Sequence, residues 1–97
     1  MPLKLSFRIR AERDFDDILN YIAEQNDDDE IAKKFGERLY AKCAELTKAP
    51  GMGSPHRSRP QFRKVIEGPY KIFYRVYPQK IVILRIWDGR RGSDPRV

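Results

Sequence analysis

Arg85, Trp87, Asp88, Arg90 and Arg91 fall inside ten residues, ILRIWDGRRG at 83–92, where an aliphatic run passes into a tryptophan, an acid, a glycine and two consecutive arginines. Arginine stays charged at physiological pH and presents a fork of donors matched to phosphate and carboxylate, so such a cluster binds and orients anions. It cannot accept a proton. Cleavage of RNA through its 2′-hydroxyl needs a proton acceptor and a proton donor as well, and these must come from other side chains.

The residues able to move protons are few. His56 lies in a proline-rich stretch, where an isolated histidine is expected in solvent. Glu67 stands beside a Gly-Pro turn, as a hairpin-end charge. Tyr74 is expected in the core with its hydroxyl satisfied, and Tyr77, near a strand end, is within reach of a ligand. Asp88, directly before Gly89-Arg90-Arg91, is expected to cap a turn or pair with an arginine. These residues do not combine into a nucleophile, base and orienting group, and the sequence holds no glycine-rich phosphate loop of recognised spacing. One cysteine, Cys43, and one histidine fall short of a disulfide and of the usual zinc ligand set, so neither metal nor cofactor is implied.

The rest of the chain must position these groups. Its 97 residues fit one domain, 1–97, with room for one modest core. A hydrophobic fraction of 40% supports a packed fold despite 35% charged residues. The start, MPLKLSFRIR, is interrupted by Lys4, Arg8 and Arg10, unlike a signal peptide, and no run reaches membrane-spanning length, so a cytoplasmic protein without a membrane partner is expected. The net charge of +6 is unevenly distributed. Residues 1–49 hold nine Lys/Arg against eleven Asp/Glu, and residues 50–97 hold eleven against three. Segregated positive charge of this kind points to a polyanionic or acidic partner.

Alternation of Leu3, Leu5, Phe7 and Ile9 with Lys4, Ser6 and Arg8 predicts a half-buried strand over 3–9. From Ala11 to about Gln25, Phe15, Ile18, Leu19 and Ile22 recur at helical spacing, opposite Glu12, Asp16, Asp17 and Glu24. NDDDE at 26–30 reads as a turn, with Asp27 and Glu30 at N-cap and N3 spacing. The next helix carries Ile31, Phe35, Leu39, Cys43 and Leu46 on one stripe and ends at APG, 49–51. Cys43 on that stripe is a packing residue. Residues 50–61 form a loop made basic by Arg57 and Arg59, and strands follow at 62–67, 70–77 and 81–87. The predicted class is α+β: order β-α-α-β-β-β, a helical hairpin on one face of a mainly antiparallel four-stranded sheet.

Strand parity sorts the side chains. Ile72, Tyr74 and Val76 share one face, leaving Lys71, Phe73, Arg75 and Tyr77 on the other; Val82, Leu84 and Ile86 share a face, leaving Ile81, Ile83, Arg85 and Trp87. With the apolar sets toward the helices, the register pairs Arg75 with Ile83 and Phe73 with Arg85. The other face then gathers Lys71, Arg75, Arg85 and Trp87, with Arg63 or Lys64 from the neighbouring strand and Arg90 and Arg91 at the exit. Guanidiniums suit phosphates and rings suit bases, so this face reads as a nucleic-acid or target surface.

The element order, GPYKIFYRV at 68–76 and IVILRIWDGRR at 81–91 resemble the RelE/ParE superfamily of toxins from bacterial type II toxin-antitoxin modules, over nearly the whole chain. The resemblance implies a growth-inhibiting toxin and a cognate antitoxin whose C-terminal segment wraps it. RelE-like members are ribosome-dependent mRNA endonucleases, mRNA interferases using basic strand residues with an aromatic residue or histidine near the C-terminus. ParE-like members share the fold and poison DNA gyrase. Arg63 and Lys71 match strand cations of the nucleases, and Arg90 or Arg91 matches their arginine after the last strand; these four are the candidate catalytic residues if the chain is an enzyme. The ending GSDPRV carries no tyrosine or histidine after Trp87, and the strand motifs are closer to the ParE-like pattern, in which a histidine commonly stands where this chain has Asp88. The expectation is a ParE-like gyrase inhibitor, with a RelE-like nuclease acting on ribosome-bound mRNA or a non-toxic RNA-binding module as alternatives.

Overall fold

A computed structural model describes residues 2–97. Along the chain run β1 (Lys4–Phe7), α1 (Ile9–Asn26), α2 (Asp29–Glu45), β2 (Ser54–Pro55), β3 (Phe62–Glu67), β4 (Tyr70–Val76) and β5 (Lys80–Asp88). The sheet order is β1-β5-β4-β3-β2, with β1 parallel to β5 and the other neighbours antiparallel. The sheet thus has five strands where four were expected. The additional one is the two-residue β2 inside the 50–61 loop, too short and too rich in Ser and Pro to leave a periodic signal. The α+β class and the helical hairpin over one face are as expected.

Local boundaries moved for identifiable reasons. β1 is shorter than 3–9: it ends at Phe7, and α1 begins at Ile9, which is 69% exposed. Asp27 closes α1 in the left-handed region at φ 49, and Asp28, not Asp27, caps α2 by accepting the Glu30 N–H at 2.9 Å. Ile31, expected on the apolar stripe, is 44% exposed, and Ala32 and Gly36 take the inward positions with Leu39 and Cys43. At Gly36 the helices approach so closely that an added Cβ would meet a Leu19 methyl at 3.1 Å.

The main core lies between helices and sheet: Ala11, Leu39, Cys43 and Leu46 pack on Ile72, Tyr74, Ile81, Ile83 and Ile86. Burial pushes the Cys43 thiol up to about 12, so it stays protonated and acts as a packing group. The Tyr74 hydroxyl donates to the Pro50 carbonyl at 2.8 Å and accepts from the Gly53 N–H at 2.9 Å, tying the loop down to the core. Only glycine fits at 53, because an added Cβ would sit 2.4 Å from the Lys64 carbonyl oxygen.

The β4–β5 register contains the main correction to the expected parity. Phe73 pairs with Arg85 as expected, but Tyr74 pairs with Ile83 and Arg75 with Val82, not with Ile83. Leu84 is therefore the extra residue of a β-bulge, and before it every side chain of β5 changes face. Ile81 and Ile83 join Ile86 toward the helices, whereas Val82 and Leu84 join Phe62 and Phe73 in a small second cluster on the open face, flanked by Tyr77 and Trp87. An aliphatic run such as IVIL carries no alternation from which a bulge could be read.

Candidate functional site

The open face of the sheet carries three groups of cations, each held by different elements. At the end near the β3–β4 turn, β3 presents Lys64 and β4 presents Lys71, and both reach Asp94 of the C-terminal tail: Nζ to carboxylate distances are 3.4 Å for Lys64 and 2.8 Å for Lys71. The two ammonium groups hold the Asp94 carboxyl below its ordinary range, the hydrogen bond from Lys71 contributing most. The tail is fixed a second time where the Trp87 indole N–H donates to the Ser93 carbonyl at 2.7 Å.

The second group surrounds Trp87. Arg91 lies 4.2 Å and Arg85 5.1 Å from its ring, both within cation–π range. Arg90 does not join them: Asp88 accepts from its backbone N–H at 2.9 Å and from Nε and Nη2 at 2.9 and 2.8 Å. These bonds hold the Asp88 carboxyl at about 2. Asp88, expected to cap a turn or pair with an arginine, does both.

The third group is a basin in which the β1–α1 junction, the 50–61 loop, β3, β4, β5 and the tail converge. Six arginines line it: Arg8, Arg10, Arg59, Arg75, Arg85 and Arg96. Arg75 sits over Phe62 at 5.1 Å and Tyr77 at 4.6 Å, and Arg59 over Phe62 at 4.2 Å. The Arg75 Nε–H is buried with no acceptor. Arg85 alone has a carboxylate: Asp14 of α1 accepts from its Nε at 2.7 Å and Nη2 at 3.1 Å. Asp14 can do this because β1 ends at Phe7 and leaves the edge of β5 uncovered; the same carboxylate takes the Ile86 N–H at 3.0 Å.

Of the residues singled out in the sequence, Lys64, Lys71, Arg75, Arg85, Trp87 and Arg91 occupy this face, and Arg90 is paired at its rim. Arg63 points elsewhere. It pairs across strands with Tyr74, on the helix side, and its Nη1 donates to the Gly53 carbonyl at 2.6 Å, which makes it a loop anchor. His56 lines a neighbouring cleft with Lys64, Phe73 and Asp94, its Nδ1 near the Ser58 N–H at 3.3 Å. Glu67 lies on the helix side near Arg38 at 3.4 Å and Lys42 at 3.9 Å. Sequence reasoning missed Arg8, Arg10, Arg59, Arg96 and Asp94. Arg8 shares the polar parity of β1 with Lys4 and Ser6, a usable signal, but the pairing of β1 beside β5 that brings it here is not written in local pattern. Among the described residues no cluster of His, Cys, Asp and Glu could hold a metal ion, and no helix is long and apolar enough to cross a membrane.

The arrangement offers donors that suit anions, and its arginines cannot exchange protons near neutral pH. Comparison with known proteins agrees with this architecture. The model of the ParE toxin of type II toxin-antitoxin systems, parDE, matches residues 5–92. None of the curated proteins matches the chain. Among solved structures, the chromosomal ParDE toxin-antitoxin system from P. aeruginosa is similar at TM-score 0.75 and 24% identity, covering 89% of this chain and 95% of that one. The RelBE2 toxin-antitoxin complex from Mycobacterium tuberculosis is similar at TM-score 0.62 and 21% identity, covering 91% and 99%. At these identities the two structures speak for the shared fold, whereas the family match spans nearly the whole sheet, both helices and the basic exit of β5: the chain belongs to the ParE toxin family of type II toxin-antitoxin systems.

Proposed function

We propose that the chain is a growth-inhibiting toxin of the ParE branch that poisons DNA gyrase by binding, and that a cognate antitoxin neutralises it by covering the basic open face. The observation that carries this reading is the chemistry of that face: its unneutralised groups are guanidiniums, which stabilise and position anionic partners and leave proton transfer to others. The match to the ParE family model supports the same branch. A partly disordered acidic antitoxin segment would be drawn to so basic a surface at an elevated rate, and the neighbouring structures, both toxin-antitoxin systems by name, support such a partner.

Purified chain added to gyrase and relaxed plasmid should block supercoiling or trap cleaved DNA. Full supercoiling at a large molar excess of toxin overturns the reading. The RelE-like alternative rests on one specific feature, the cleft that His56 lines together with Lys64 and Asp94. Primer extension on translated mRNA distinguishes it: new 5′ ends within codons, abolished by His56→Ala, favour the nuclease, and unchanged transcripts remove it.

A further inference from the structure

We infer that the arginine basin is a binding site for the phosphodiester backbone of a nucleic-acid strand, read by charge and not by base. Six guanidiniums line one concavity, and of these six only Arg85 is paired with a carboxylate among the described residues. Five charges gathered by several separate elements repel one another, and among the described residues no carboxylate lies within salt-bridge distance of any of them. The contrast with Lys64 and Lys71 is direct, because there the chain supplies Asp94. In the basin the counter-charge must come from outside.

Charge density selects the ligand. A nucleic-acid strand carries a negative charge on every backbone unit, whatever its base sequence, whereas an extended peptide presents only alternate side chains to one face. Arginines gathered into one concavity therefore suit a chain charged at every unit, and each guanidinium fork can take two oxygens of one phosphate. The Arg75 Nε–H, buried and without an acceptor, is a further donor not used within the chain. The basin's aromatic side chain, Phe62, is only 6% exposed, with Arg59 and Arg75 against its ring. Phe62 therefore offers bases no open face to stack on, so binding at the basin should be independent of sequence. The inference stands on the basin alone: DNA at a gyrase gate and mRNA at a ribosome both carry this backbone.

Fluorescence anisotropy with labelled 12-nucleotide DNA and RNA strands, no gyrase or ribosome present, tests it between 50 and 200 mM salt. Affinity should fall steeply with salt, and Arg10→Gln, Arg59→Gln and Arg75→Gln should each weaken binding ~5-fold near 0.1 M salt and flatten the log–log slope by about 0.7. Lys33→Gln, the same charge change on exposed α2, should stay within twofold. DNA and RNA of equal length should bind alike if the backbone is what is read. The inference fails if nothing binds at 50 mM salt, if Lys33→Gln costs as much as the basin variants, if base sequence changes affinity more than tenfold, or if an oligoglutamate of equal charge binds more tightly than either strand. Because gyrase is absent, these failures are distinct from unimpaired supercoiling, which would remove only the gyrase reading.

Discussion

On the helix side of the sheet Ile72, Tyr74, Ile81 and Ile83 are fully buried, and the Tyr74 hydroxyl makes two hydrogen bonds. On the open side the same strands carry Arg75, Arg85 and Lys71, and only a four-residue apolar patch, Phe62, Phe73, Val82 and Leu84, lies beneath them. The first face is organised to remove surface from water, which stabilises the fold. The second pairs Arg85 with Asp14 and Lys71 with Asp94 but leaves Arg75 and the other basin arginines without a carboxylate partner, which costs stability and keeps binding capacity. The difference teaches that charge totals are a poor guide to a site; what counts is which charges the chain has already neutralised.

If that division is correct, the faces should separate stability from binding. Leu39→Ala, deleting fully buried side-chain volume on the helix side, should cost about 2–5 kcal/mol in urea denaturation. Arg75→Gln, on the open side, should change stability by less than about 1 kcal/mol, the ordinary range for a substitution outside the core. Equal losses for the two would break the comparison.

Tyr74→Phe probes the polar attachment of the loop to the covered face. It leaves the Gly53 N–H and the Pro50 carbonyl without their partner, and an orphaned buried group costs about 1–3 kcal/mol. Urea denaturation measures the loss, and faster amide exchange at Gly53 should accompany it. No change in either would mean that the 50–61 loop is held by Arg63 and β2 alone.

Within the open face, Asp94 is the sharper test. Asp94→Asn removes the negative charge between Lys64 and Lys71. Exposed ion pairs contribute little, so stability should move by less than about 1 kcal/mol. Two freed ammonium groups should add to the salt-dependent part of oligonucleotide binding, raising affinity by up to about one order of magnitude per added phosphate contact near 0.1 M salt. Unchanged affinity would show that the lysine pair and the basin do not serve one strand.

The sequence carried the fold at the level of period. Alternation in β4 and helical spacing in α1 gave the elements and the inward set Ile72, Tyr74 and Val76. It did not carry the bulge at Leu84, because four consecutive aliphatic residues look alike on either face, and so half of β5 was assigned to the wrong side. Lys71, Arg75, Arg85 and Trp87 were legible as one surface because parity along a strand is local. Arg8, Arg59 and Arg96 were not, since they meet only through the parallel pairing of β1 with β5, the fold-back of the loop and the return of the tail. Asp94 was hidden for the same reason: its lysines are 23 and 30 residues away.

The smallest effect concerns the paired arginine at the rim. Asp88 titrates at about 2 in the folded chain because Arg90 bonds it through side chain and backbone, against an ordinary 3.8. A folded value below the unfolded one means that the pair's stabilisation is complete above about pH 4 and is lost as pH falls through 2. Arg90 is so exposed that solvent screens most of this, and the readout must be the titration itself. A carboxyl carbon NMR titration should show Asp88 with a midpoint near 2 in the native chain and nearer its ordinary value in Arg90→Gln. Oligonucleotide affinity should hardly change in the same variant, because Arg90 is already neutralised within the chain. A large loss of affinity would mean that the strand recruits Arg90 by displacing Asp88, and the distinction between neutralised and free cations would then have to be drawn in the complex and not in the free toxin.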